Sequence, residues 1–116
     1  MAYDAATLPD VSALTVAILG GTGDQGRGLA YRLASAGQAV LIGSRSAPRA
    51  EQAAAELAAL PGVVGGPGAE RLGGGDNADV SQRADLVIIA VPWEGHAATV
   101  AALRQPLAGK VVVDCV

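Results

Sequence analysis

The sequence predicts one α/β domain, a doubly wound parallel sheet with helices on both faces, and three observations carry that reading. The apolar run Val16–Leu19 passes straight into a glycine cluster, after which Leu29, Ala30, Leu33, Ala34 and Ala36 recur at roughly helical spacing: strand, tight turn, helix. Strand-like apolar runs and alanine-rich helical stretches then alternate to the end of the chain, the pattern of a parallel sheet joined by right-handed crossovers. Finally, 116 residues that are 51% hydrophobic, 16% charged and free of Phe suffice for one core of Ala, Val, Leu and Ile, and not for two domains.

Residues 1–14 read as a leader, without periodicity and with a turn at Pro9-Asp10, and 15–116 as the domain. The first strand is expected over Thr15–Gly20 and the first helix from Asp24 to Ala36, with Gly37 as its stop. A second strand, Ala39–Gly43, leads to a helix from Ala47 to Leu60, supported by the alanine-dense EQAAAELAAL, opened by Pro48 in its first turn and closed by Pro61-Gly62. The following stretch, VVGGPGAERLGGGDNADV, is crowded with glycine and proline, which leaves a short third strand near Glu70–Gly73 surrounded by loop. A short helix over Ala78–Arg83 precedes Asp85-LVIIAV, a continuous apolar run of the kind covered on both faces. Pro92 closes that strand, a helix spans Gly95–Arg104, and Lys110–Val116 forms the fifth strand. Such a chain folds as a Rossmann-type sheet in the order 3-2-1-4-5, with its ligand over the carboxyl ends of strands one and four.

Within the first turn, Gly21-x-Gly23-x-x-Gly26 matches the dinucleotide fingerprint, and its place between strand and helix is what gives the match weight. Gly21 is expected to allow the sharp exit from the strand, Gly23 to let backbone approach a pyrophosphate, and Gly26 to let the helix pack closely. Thr22, Asp24 and Gln25 complete this segment, whose unpaired N–H groups at the helix start favour phosphate.

A site for NAD places Asp or Glu about 20 residues past the fingerprint, on the ribose hydroxyls. Here the second strand ends Gly43-Ser44-Arg45, with no carboxylate. Gly43 is expected to open space, the Ser44 hydroxyl to donate to phosphate, and Arg45 to supply a planar charged fork, with Arg49 one turn into the next helix facing the same spot. The pattern reads as NADP rather than NAD. Against the alternative that Ser44 and Arg45 are solvated loop residues stands the coincidence of a missing acid with a present base.

Several chemistries are disfavoured. Net charge is −3, and scattered arginines with a single Lys110 make no nucleic-acid footprint. MAYDAATLPD has no basic and apolar signal regions, and no apolar run approaches the ~18 residues of a membrane helix, so the expected location is cytoplasmic. Cys115, the one cysteine, has no internal disulfide partner and is expected in the core. The Tyr-x-x-x-Lys pair of short-chain dehydrogenases is missing, since the tyrosines are Tyr3 and Tyr31 and the only lysine is Lys110. One His and one Cys do not make a metal site. His96 reads as a surface or edge residue with no identified carboxylate partner; Trp93 either covers the sheet edge or contacts the cofactor or its partner.

Taken together, LGGTGDQGRGLAYRLASAGQAVLIGSR, the following Arg49 and the AVPW turn resemble the N-terminal domain of the coenzyme F420-dependent NADP reductases. The resemblance covers 15–116, is most specific over 16–57 and 85–96, and is loose in the glycine-rich middle. It implies that Thr22, Ser44, Arg45 and Arg49 hold a 2′-phosphate and that Val91 and Pro92 help place the nicotinamide. It also implies hydride transfer directly between nicotinamide and deazaflavin, with no catalytic side chain. Members of the family continue past the fifth strand into a segment that completes the deazaflavin pocket and the dimer, whereas this chain stops at Val116, as a fragment or a stand-alone module. The 116 residues are therefore expected to bind NADP(H), to turn over F420 slowly or not at all, and, through an uncovered edge at Lys110–Val116, either to associate, with a homo-oligomer as one outcome, or to be poorly soluble. Two alternatives stand beside this reading: a non-catalytic NADP redox sensor, which would carry an acid after the third strand where Gly73–Asn77 offers an ambiguous candidate, and the N-terminal domain of another NADP-dependent reductase.

Overall fold

The computed structural model describes residues 4–116, so Met1–Tyr3, the start of the expected leader, lie outside the described residues. After a 3-10 turn at Ala5–Thr7, the chain runs β1 (Thr15–Leu19), α1 (Asp24–Ser35), β2 (Ala39–Ser44), α2 (Ala47–Ala58), α3 (Pro67–Glu70), β3 (Leu72–Asp76), α4 (Asn77–Arg83), β4 (Leu86–Ile89), α5 (His96–Ala102) and β5 (Val111–Asp114). All neighbouring strands are parallel, and the five-stranded order is β3-β2-β1-β4-β5, as the alternation of strands and helices predicts.

The alternation of side chains along a strand divides the core between the two faces of the sheet. Val16, Ile18, Val40 and Ile42 join Ala30, Ala50, Ala53, Ala54 and Leu57 on the side of α1 and α2. Ala17, Leu19, Leu41, Val87 and Ile89 join Val80 and Ala84 of α4 and Leu103 on the other. With no Phe to fill space, the helices come close, and small residues make that possible. A Cβ on Gly74 would stand 2.5 Å from the Ala50 carbonyl oxygen, so α2 lies almost on the backbone of β3.

That close approach explains where the sequence reading of the third strand errs. β3 is Leu72–Asp76, later than Glu70–Gly73, and Pro67–Glu70 forms a helical turn in what reads as loop. The strand is LGGGD: Gly74 lies against α2 and Gly75 against α4, and glycines stand where apolar residues would announce a strand. Elsewhere the differences are at element ends, with α2 closing at Ala58 and α5 confined to His96–Ala102.

The strand starts are pinned by side chains. Thr15 N donates to Asp85 Oδ2 at 2.8 Å, joining the entries of β1 and β4. Lys110 Nζ donates to the carbonyls of Gln82 and Ala84 at 3.1 and 2.6 Å, a cation on the last carbonyls of α4. Gln38 Nε2 donates to the carbonyls of Val11 and Leu14, and Arg71 to those of Gly37 and Ser12, so the segment before β1 is held to the domain. At the opposite edge β5 is exposed along its whole length, Val111 by 62%, and Cys115, expected in the core, is exposed too. The physical reason is that no described helix covers this edge. Among the described residues no helix is long and apolar enough to cross a membrane.

Gly74→Ala is predicted to destabilise the domain by about 1–3 kcal/mol, the usual cost of forcing volume into a packed core. Urea unfolding of the variant checks it, and an unchanged midpoint would contradict the packing described here.

Candidate functional site

At the carboxyl ends of β1, β2 and β4 lies a cleft of about 1020 Å³. One wall is the turn after β1. Gly20 adopts φ +73 there, so the sharp exit from the strand belongs to Gly20 and not to Gly21. Gly21 instead packs: its N–H donates to Gly43 O at 3.0 Å, and a Cβ on it would press on Ile42 Cγ2 at 2.7 Å. Gly26 brings α1 against the turn, because a Cβ there would be 2.5 Å from Gly20 O. Gly21 and Gly26 therefore shape the cleft without lining it, whereas Thr22, Gly23, Asp24 and Gln25 line it.

Gly23 is different in kind. Its backbone is extended, φ −80 and ψ 171, a conformation open to any residue, and an added Cβ would meet nothing closer than Gly20 O at 3.5 Å. Nothing in the protein requires glycine there. What its missing side chain leaves is open space directly over the start of α1, whose first turn has no side-chain cap. Those orphan amides and the helix dipole make a seat for an anion.

The second wall is the end of β2. Ser44 is buried and accepts from Ser46 N at 3.2 Å, which leaves its own hydroxyl proton for donation. Arg45 and Arg49 are exposed, line the cleft, and form no ion pair among the described residues. Ser44, Arg45 and Arg49 thus meet as donors at one place, as their spacing predicts. Gly43, expected to open space for a ligand, turns the other way: a Cβ on it would strike Asn77 Oδ1 and Val80 Cγ2, both at 2.8 Å, so its task is to admit α4 beneath the sheet. Nearby, Arg27 joins Thr22 O at 3.2 Å to Glu56 at 3.0 Å. Its hydrogen bond, with one from Gln52, holds the Glu56 carboxyl below its ordinary value, so this tie is present at neutral pH and weakens as acid protonates Glu56.

The third wall follows β4: Ala90, Val91, Pro92, Trp93, Glu94 and Gly95. Trp93 is 77% exposed and stacks on His96 with ring centroids 6.1 Å apart. His96, read as lacking a carboxylate partner, has one: its Nε2 is 3.0 Å from Asp114 Oδ2. The partner is 18 residues away in sequence and becomes a neighbour only because β5 lies beside β4. Sequence reasoning also missed Asn77, Thr99 and Val116 at the cleft. Asn77 was legible only once β3 was correctly ended, since it then falls at a carboxyl edge. Asp76, the ambiguous acid after the third strand, is engaged as the N-cap of α4, accepting from Asp79 N at 2.8 Å.

These features define a class, a Rossmann-type domain with an anion seat and a basic pocket on adjoining walls. Residues 15–116 match the family model described as NADP oxidoreductase coenzyme F420-dependent, and the chain belongs to that family. It is 40% identical over 105 residues to the F420-dependent NADP reductase of Methanothermobacter marburgensis, covering 87% of this chain and 43% of the relative. To the enzyme of that name from Methanocaldococcus jannaschii it is 41% identical over 104 residues, covering 87% and 44%. The chain thus spans less than half the length of these relatives. Among solved structures, an inferred F420-dependent NADP-reductase from Arthrobacter sp. aligns with TM-score 0.63 and 38% identity over 88% of this chain and 45% of the other. (S)-3-hydroxybutyryl-CoA dehydrogenase from Ralstonia eutropha aligns with TM-score 0.69 over 86% and 40%, and at 19% identity the likeness is one of fold.

The His96 buttress is open to direct test, because Trp93 is the sole tryptophan. His96→Ala is predicted to collapse the near-ultraviolet circular dichroism of the indole while costing about 1 kcal/mol of stability, the net worth of one side-chain hydrogen bond. An unaltered spectrum would show that the stack does not fix the ring.

Proposed function

We propose that the cleft binds NADP(H) and that this chain is the dinucleotide-binding part of an F420-dependent NADP oxidoreductase. The observation that carries the proposal is the pairing of Ser44, Arg45 and Arg49, donors without an acid among them, with the open approach over Gly23. A 2′-phosphate needs donors and positive charge at the end of β2, and a ribose 2′-hydroxyl needs a carboxylate there. Thr22 closes the same corner, adjoining Arg49.

In this reading the pyrophosphate rests on the first-turn amides of α1, beside Gly23, Asp24 and Gln25, with Gly21 and Gly26 holding that turn in place. Val91 and Pro92 bound the inner end, where the nicotinamide belongs. Bound together, nicotinamide and deazaflavin supply the hydride chemistry, so the protein needs no acid or base and contributes orientation. Orientation matters because reacting carbons must be held about 3–3.5 Å apart. The reading carries a small-molecule partner, a cytoplasmic setting, and a homo-oligomeric assembly to be tested by sedimentation, with the bare valines of β5 as the contact.

Arg45→Ala is predicted to weaken NADP by about 1.5–3 kcal/mol, the worth of a hydrogen bond to a charged group, while NAD changes little. Calorimetric titration decides it, and NAD bound as tightly as NADP by the unaltered protein would overturn the reading. Gly23→Val is predicted to fold normally and to lose the dinucleotide, because the new side chain fills the approach to α1. Full NADP affinity in that folded variant would move the site elsewhere.

A further inference from the structure

One polar side chain of the cleft has no task in this account. Asn77 opens α4 directly after Asp76, the residue that pairs with Ser44 across the β2–β3 ladder. It is only 9% exposed, yet it lines the cleft together with Ser44, Arg45 and Arg49. Its Oδ1 turns inward, to within 2.8 Å of where a Cβ on Gly43 would stand, and has no hydrogen-bond partner. Leaving an amide oxygen buried and unpaired costs stability, and folded proteins contain few such groups. Capping does not account for it, because Asp76 caps α4. The other polar atom of the amide, Nδ2, makes no hydrogen bond within the described residues and stays accessible where Asn77 faces the cleft. With the oxygen turned inward, the donor is left on the side of the cleft that Ser44, Arg45 and Arg49 also line.

We propose that Asn77 is a further specificity-determining residue, donating from Nδ2 to the 2′-phosphate of the bound dinucleotide. The proposal rests on the cleft binding NADP(H) as argued above. A neutral N–H donor to an anionic oxygen makes a charge-assisted hydrogen bond, and near-isosteric replacement by Asp would turn that donor into a repelling carboxylate. A neutral ribose hydroxyl can also accept from such a donor, but it gains less from it than an anionic phosphate does.

The test compares Asn77→Ala, Asn77→Ser and Asn77→Asp with the unaltered chain, titrating each with NADP and with NAD and melting each without ligand. Asn77→Ala and Asn77→Ser are expected to lose roughly tenfold in NADP affinity, the lower end of the worth of a hydrogen bond to a charged group, with NAD affinity held within about twofold. Asn77→Asp is expected to lose more. Asn77→Ala is expected to melt no lower than the unaltered chain, because it removes the orphaned oxygen; a side chain that serves only the fold would show the opposite. Equal losses for NADP and NAD would place the amide on a part of the dinucleotide common to both and overturn the proposal, as would undiminished NADP affinity in the folded variants. Failure of the unaltered chain to prefer NADP would instead overturn the reading of the cleft itself.

Discussion

The contact on which the structure depends is that of the first turn of α1 with the end of β1. Gly20 takes a left-handed conformation, Gly21 lies against Ile42, and Gly26 sits so near Gly20 O that no side chain fits between them. This crossing directs the free amides at the start of α1 toward the gap between β1 and β4. Because the strand order reverses direction at β1, loops from both halves of the sheet diverge there and leave a cleft rather than a surface.

Thinness is the other constraint. A core without Phe and rich in Ala can be dense only if helices approach the sheet closely, and Gly74 under Ala50 and Gly43 over Val80 show where that occurs. The same economy sets the site: α4 reaches the β2 end because Gly43 has no side chain, and so brings Asn77 beside Ser44. Packing on one face of the sheet thereby determines which polar groups meet at its edge.

Legibility in the sequence followed the range of the signal. β1, the turn, α1 and the Ser44-Arg45 end of β2 are encoded within short windows, and the structure gathers Thr22, Ser44, Arg45 and Arg49 at the cleft as their spacing requires. The motif named the right glycines with one misassigned task, because it counts from Gly21 while the residue with the left-handed conformation is Gly20. β3 was obscured because close packing replaced its apolar residues with glycine. Asp114 as the partner of His96, and the exposure of Cys115, follow from which strand lies at the edge, and no local pattern carries that.

The central claim, that this cleft seats NADP with its 2′-phosphate at the β2 end, is tested most directly by following the backbone amide resonances of the chain during titration with NADP. The account predicts shifts concentrated at Thr22–Gly26, Ser44–Arg49, Asn77 and Ala90–Pro92, with the Ser44–Arg49 group nearly silent when NAD replaces NADP. Saturable shifts lying along β5 with the β1–α1 turn unmoved, or identical responses to NADP and NAD at Ser44 and Arg45, would contradict it.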